Sequence, residues 1–170
     1  QFGSRKVLVV TRFDRAWQGT RWIARLPQED FCQALGRPGQ LKYEADGGPG
    51  MGHILRILAT SSRAEQDCRA FVKAQLLFWL LAATDGHAKN YSLLLSGHQV
   101  RLAPLYDIAS ALPHLDHPHK ARMAQKIGGE YRPSFIQRRH WERMARSLGL
   151  GSDEAHARIT ALAERLPDAL

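Results

Sequence analysis

The chain has 170 residues, 44% of them hydrophobic, and its 24 Lys and Arg against 16 Asp and Glu give a formal charge of +8. That length supports one sizeable core and one domain over residues 1–170, and the basic balance favours nucleic acid, nucleotide phosphates or an acidic partner without bearing on fold. No apolar run approaches the roughly 18 residues of a membrane span and no signal peptide is visible, so a cytoplasmic protein with no membrane contact is expected.

Gln1-Phe2-Gly3-Ser4 contains no Met, and the chain is expected to begin inside a longer protein or after processing. Lys6 to Phe13, centred on Val7-Leu8-Val9-Val10, reads as a buried strand, and Arg21 to Leu26 as a second, short one. Helical pattern starts near Gln28-Glu29-Asp30, sets Phe31, Ala34 and Leu35 on one face, and stops at Gly36-Arg37-Pro38-Gly39. Cys32 and Cys68 lie in apolar helical contexts without metal-ligand spacing and read as reduced, buried thiols.

Residues 44–50 form a Gly-rich loop, and residues 51–60 a helix with Ile54, Leu55, Ile57 and Leu58 apolar. Residues 64–82 form the most hydrophobic helix: Phe71, Leu76, Leu77, Phe78, Leu80 and Leu81 cover most of its circumference, which places it in the middle of the core. After it come a hairpin over 91–106 and a loop rich in Pro and His over 112–120. His114, Asp116, His117 and His119 in that loop lack the spacing of a structural zinc motif and read as solvated. Two amphipathic helices, 134–148 and 152–166, end the chain, with Trp141, Met144, Leu148 and Leu162 as core positions. Gly149 and Gly151 separate them, and Ser152-Asp153-Glu154 starts the second. Arg132, Arg138, Arg139, Arg143 and Arg146 form either a solvated helix face or a face toward DNA.

Between the apolar helix and the hairpin lies Thr84-Asp85-Gly86-His87-Ala88-Lys89-Asn90, an Asp and an Asn five residues apart, and Asp107 follows the hairpin. That order is what phosphoryl transfer from ATP uses. The first carboxylate takes the proton of the acceptor hydroxyl, while an amide oxygen and the second carboxylate hold Mg2+. By spacing alone Asp85 and Asn90 also read as residues that cap or turn a loop. A metal hydrolase built on Asp85, His87, His98 and Asp107 is a further reading.

The surrounding words resemble the HipA family of serine/threonine kinase toxins, which have a diverged protein-kinase-like fold. The resemblance runs through Val9-Val10-Thr11-Arg12-Phe13-Asp14-Arg15, Arg25-Leu26-Pro27-Gln28-Glu29-Asp30, Lys42-Tyr43-Glu44 and Gly47-Gly48-Pro49-Gly50. It continues through residues 84–90 and Leu102-Ala103-Pro104-Leu105-Tyr106-Asp107-Ile108, with echoes at Lys126-Ile127-Gly128-Gly129-Glu130-Tyr131 and His140-Trp141-Glu142. It implies an α+β, mostly helical fold: the C-terminal lobe of a HipA-like kinase, with a β-hairpin beside the catalytic loop and an opening hinge strand. Residues 1–13 would close the upper lobe and form the hinge, and 14–170 the helical lobe. The N-terminal lobe would be absent from this chain, and this part alone inactive.

The resemblance also assigns roles. Asp85 matches the proton acceptor, and Asn90 and Asp107 match the metal ligands. His87, Ala88, Lys89, Asn90, Tyr106 and Asp107 would line the nucleotide, and backbone groups of Thr11, Arg12 and Phe13 would meet the adenine. Asp14 has two readings, a ribose-hydroxyl partner or an ion pair with Arg12 or Arg15. The implied cofactors are ATP and Mg2+. The implied partners are a HipB-like DNA-binding antitoxin, operator DNA through that complex, and a Ser/Thr-bearing protein substrate such as an aminoacyl-tRNA synthetase. The competing reading is a catalytically silent module that holds antitoxin or DNA. Two departures from ordinary kinases stand out: Thr84 occupies the place of the arginine that reads activation-loop phosphorylation, and Ile108 replaces the glycine of D-F-G, stiffening the backbone there.

Overall fold

A computed structural model describes residues 3–5 and 7–147 of the chain. The architecture is α+β. A two-stranded antiparallel ribbon, β1 (Arg15–Gln18) and β2 (Trp22–Arg25), precedes a three-stranded antiparallel sheet of order β3–β4–β5 (Gln28–Asp30, Ser92–Ser96, Gln99–Leu102). The helices are α1 (Phe31–Ala34), α2 (Met51–Leu58), α3 (Ala64–Leu80) and α4 (Arg138–Ser147). Among the described residues no helix is long and apolar enough to cross a membrane. The expected helix over 152–166, its Gly149–Gly151 separator, Leu148 and Leu162 lie outside the described residues.

The core forms where α3 meets the start of β4. Phe71 and Phe78 stand one above the other along α3, and both pack on Tyr91, with ring centroids 5.0 and 5.8 Å apart. The Tyr91 hydroxyl is buried with its ring and accepts a hydrogen bond from Gln75 at 2.8 Å, which answers the need of two buried polar groups at once. Phe31, Ile54, Leu58 and Ile127 complete a centre with no solvent exposure. On the opposite flank Trp79 packs on Trp141 of α4, and its indole N–H donates to the Pro133 carbonyl at 3.0 Å.

Several expectations need correction. Residues 7–12 form no strand: Leu8 is 89% and Val9 78% exposed. A strand is stable only where a neighbour takes its backbone groups, and no strand among the described residues lies beside this one. Gln28 to Asp30 begins a strand, not a helix, because its backbone pairs with β4 in the register Gln28↔Leu94 and Asp30↔Ser92. The helix that follows is a single turn, closed at its start by a capping box between Asp30 and Gln33 and at its end by Gly36 in the left-handed region. Finally, α3 is apolar all round only over its last five residues, 76–80. Before them it exposes Glu65, Arg69 and Lys73 and buries Gln75 and Asp67, whose carboxylate accepts from the Ser61 hydroxyl and the Leu102 amide.

The hairpin turns at Gly97 and His98, with Gly97 at a φ of +58°, the backbone a two-residue hairpin turn requires. The last helix starts at Arg138 rather than 134, since Pro133 opens a separate 3-10 turn, Pro133–Phe135. Strand β2 lies within the short strand expected over Arg21 to Leu26, while β1 has no core-facing side to announce it in sequence: Trp17, like Trp22 on β2, is more than half exposed.

Candidate active site

Helix α3 ends at Leu80, and Ala82, just past its C-cap Leu81, adopts a φ of +46° and turns the chain into the loop over 83–91. Gly86 then lies flat on the Phe78 ring; a Cβ there would come within 2.5 Å of it. This close approach is the reason for glycine at that position. The loop is laced on three sides. Phe31 N–H donates to the Ala88 carbonyl, Ala88 N–H donates to the Lys42 carbonyl, and Ala124 N–H donates to the Thr84 carbonyl, all at 3.0–3.2 Å.

Within that frame the loop makes its own hydrogen bonds. The His87 N–H donates to both the Asp85 carbonyl at 2.8 Å and Asn90 Oδ1 at 3.0 Å, so Asn90 also closes the turn it ends. Asn90 Nδ2 donates to Asp107 Oδ2 at 2.7 Å, which joins the amide to the second carboxylate across the hairpin. Asp107 itself sits at a φ of +58°, a strained conformation that Asp tolerates better than most residues. Asp85 heads the group with its side chain 66% exposed, and the Tyr43 hydroxyl donates to its Oδ1 at 2.5 Å. The other oxygen, Oδ2, lies 3.9 Å from His87 Nε2.

His87 is 6% exposed, its ring stands edge-on to Tyr43 at 5.1 Å, and its Nδ1 has no hydrogen-bond partner among the described residues. Burial holds the imidazole below its ordinary pKa of 6.5, with the Asp85 charge pulling the other way. The unfolded chain therefore takes up this proton first as pH falls below 6.5, so His87 removes stability on the acid side and none above it. Urea midpoints measured at pH 7.5 and 5.5 should fall less in His87→Gln than in the wild type. An equal fall in both would show that the ring is not desolvated.

Not every residue assigned to the nucleotide stands free. Lys89 donates to Asp30 Oδ2 at 2.7 Å and thereby ties the loop to the cap of α1. The Tyr106 hydroxyl donates to the Lys89 carbonyl and shares a 2.5 Å hydrogen bond with the Ser92 hydroxyl, while its ring stacks on Phe13 at 5.8 Å. Of the two readings of Asp14, the structure realises the ion pair. Arg12 grips the carboxylate with two donors at 2.6 and 2.7 Å, Arg15 adds a third, and the Arg12 hydrogen bond brings its pKa down to about 2. Backbone groups of Thr11, Arg12 and Phe13 make no hydrogen bond among the described residues.

A cavity of 400 Å³ lies against Phe13, walled by Leu94, Leu102 and Leu105 and edged by Arg63 and Arg101. It does not include Asp85, Asn90 or Asp107; of these, Asp85 and Asp107 are exposed and Asn90 is buried. The hydrolase constellation is not gathered: His98 sits in the hairpin turn, and among the described residues no three His, Cys, Asp or Glu side chains converge on a metal position. His114, His117 and His119 are exposed. On α4, Arg138 pairs with Glu142, while Arg143 and Arg146 donate to the Gly128 and Glu142 carbonyls, so three of the guanidiniums serve the local fold. The residue that sequence reasoning missed is Tyr43. The only signal for it was its place in the Lys42-Tyr43-Glu44 word.

The HipA-like C-terminal domain family matches residues 1–170, the whole chain. The protein Y4mE of Sinorhizobium fredii is 33% identical over 167 residues, covering 98% of this chain and 39% of Y4mE. The serine/threonine-protein kinase toxin HipA of Shewanella oneidensis is 29% identical over 183 residues, covering 99% of this chain and 41% of that protein. The chain thus spans about two fifths of the length of these relatives. Among solved structures, the Shewanella oneidensis complex of HipA, HipB and operator DNA contains a chain that superposes with a TM-score of 0.81 at 26% identity, over 93% of this chain and 39% of that one.

Proposed function

The chain belongs to the HipA-like C-terminal domain family, and from that membership we propose that it carries the catalytic carboxylates of an ATP-dependent serine/threonine protein kinase acting as the toxin of a toxin–antitoxin pair. The observation that carries this reading is the linkage of Asp85, Asn90 and Asp107: the His87 N–H meets both the Asp85 carbonyl and the Asn90 oxygen, Asn90 is bonded to Asp107, and Asp85 Oδ2 makes no hydrogen bond among the described residues. In this reading the acceptor hydroxyl oxygen bonds to the γ-phosphorus of ATP while the bond to the β–γ bridging oxygen breaks. ADP leaves with that electron pair, and the hydroxyl proton passes to Asp85 Oδ2.

Asp107 and Asn90 fit a magnesium ion by chemistry: they offer a carboxylate and an amide oxygen, both hard donors, on side chains joined through Asn90 Nδ2. The Asn90 oxygen keeps a lone pair beyond the one that meets the His87 N–H. Bound there, the ion would neutralise phosphate charge. The protein's own contributions are to hold these two side chains together, to keep His87 neutral beside the transferred group, and to leave the Thr11 to Phe13 backbone open for an adenine edge.

The partners that fit this reading are a HipB-like antitoxin, operator DNA through that complex, and a protein substrate with a Ser or Thr acceptor, of which a translation component such as an aminoacyl-tRNA synthetase is the candidate. The test is transfer of labelled γ-phosphate by the full-length protein, with calorimetry of ATP and of metal alone beside it. Tight Zn2+ or Mn2+ binding without nucleotide, and no transfer, would return the site to the hydrolase reading.

A further inference from the structure

We propose that Tyr43 is a positioning residue for Asp85: its phenol holds one carboxylate oxygen so that the other is presented to the acceptor hydroxyl. The inference rests on the kinase reading of the site and adds to it a residue from a separate element, 42 positions away in sequence. The Asp85 side chain is 66% exposed, and an exposed carboxylate on a loop otherwise samples several rotamers. The Tyr43 hydroxyl donates to Oδ1 at 2.5 Å, within the short range of charge-assisted O–H···O bonds, and Oδ2 makes no hydrogen bond among the described residues. One oxygen is fixed and one is open.

Tyr43 can serve this purpose because its own position is over-determined. Its carbonyl accepts from the Asp46 and Gly48 N–H groups at 3.1 and 2.9 Å. The preceding Lys42 carbonyl accepts from Ala88 inside the catalytic loop, and the following Glu44 N–H donates to the Ala124 carbonyl. The Glu44 carboxylate accepts in turn from the Lys126 N–H and pairs with its ammonium. Ring contacts complete the frame, His87 edge-on at 5.1 Å and the Lys42 ammonium 5.0 Å from the centroid. The same segment that carries the phenol is therefore bonded to the loop that carries the carboxylate. A displacement of one moves the other. A phenol retained only for packing would not need its hydroxyl directed at the one carboxylate that the chemistry uses.

The hydroxyl sits at a partly exposed position, so its removal changes stability little, whereas loss of orientation at a reacting atom acts on rate. In the full-length protein Tyr43→Phe is expected to lower kcat by about 10- to 100-fold while the KM for ATP stays within about twofold. Combining Tyr43→Phe with Asp85→Asn should be no slower than Asp85→Asn alone, because the phenol then has no carboxylate to orient. A second readout needs no activity. In the 170-residue chain, 3-fluorotyrosine at position 43 is titrated by 19F NMR with and without Asp85→Asn. The phenol is held up, to about 12 in the native residue, first by its bond to Asp85 and also by burial and by Asp46; Lys42 and His87 are its other charged or titratable neighbours. Its midpoint should fall by about one unit when the carboxylate is removed. An active wild type with Tyr43→Phe at full kcat, or a midpoint unmoved by Asp85→Asn, overturns the positioning role and leaves the kinase reading standing. Absence of transfer in the wild type overturns both. If Tyr43→Phe fails to fold, the 19F titration decides alone.

Discussion

Replacing Asp85 with Asn in the full-length protein is expected to lower kcat for phosphoryl transfer by about 10²- to 10⁴-fold while leaving the fold intact, the range that loss of a positioned proton acceptor produces. The side chain is exposed and its only hydrogen bond among the described residues is accepted from Tyr43, a bond that an amide oxygen also takes. Asp107→Asn should cost at least as much through loss of charge at the phosphates. It too should fold, because Asn tolerates the left-handed backbone at that position and still offers an oxygen to Asn90. Alanine at 107 is the poorer choice, since backbone strain would confound the result. Labelled-phosphate transfer measured beside urea denaturation checks both variants; wild-type transfer with either one removes the carboxylates from the mechanism.

Gly128→Ala is expected to destabilise the chain by about 3 kcal/mol, through two effects that act together. Gly128 and Gly129 form the tight turn between Ile127 and Glu130, with φ of +55° and +97°, where any other residue is strained. A Cβ at 128 would also lie 2.0 Å from the His140 carbonyl oxygen, a backbone atom of the stretch that buries Trp141, Met144 and Ala145. Helix α4 would have to withdraw from the core. Gly129→Ala is the control: its Cβ meets nothing closer than the Arg143 guanidinium at 3.5 Å, so it carries only the conformational cost, about 1–2 kcal/mol. Equal urea midpoints for the two variants would show that α4 does not press on this turn.

What could be read from the residues depended on whether the signal was local. The apolar helix, the Asp85 to Asn90 loop and the hairpin with its Gly97 turn were legible because periodicity and turn chemistry lie within a few positions of one another. The Val7 to Val10 run was misread for the complementary reason: β-branched composition states a preference for strand but names no neighbour. Strand β1 escaped notice, although its partner β2 was expected over Arg21 to Leu26, because a strand without a buried face shows no alternation. At the site, residue types were legible and their engagements were not. That Lys89 bonds Asp30 and that Asp14 is held by Arg12 are facts of packing and of side-chain reach. The pairing of Tyr43 with Asp85 spans 42 positions, which no window of sequence contains.

The frame around the loop also has a consequence in time. The Asn90–Asp107 bond closes a span of 17 residues, the Tyr43–Asp85 bond one of 42, and the Glu44–Lys126 bond one of 82. Longer spans cost more loop-closure entropy and wait for more chain to be made. During synthesis, at roughly 5–20 residues per second, the forty or so residues after Asp85 take several seconds to appear. Until Lys126 emerges, the Lys42 to Glu44 segment lacks its outer anchor. A nascent chain halted before that point carries Asp85, Asn90 and Asp107 but not the outer anchor of the segment that holds Asp85.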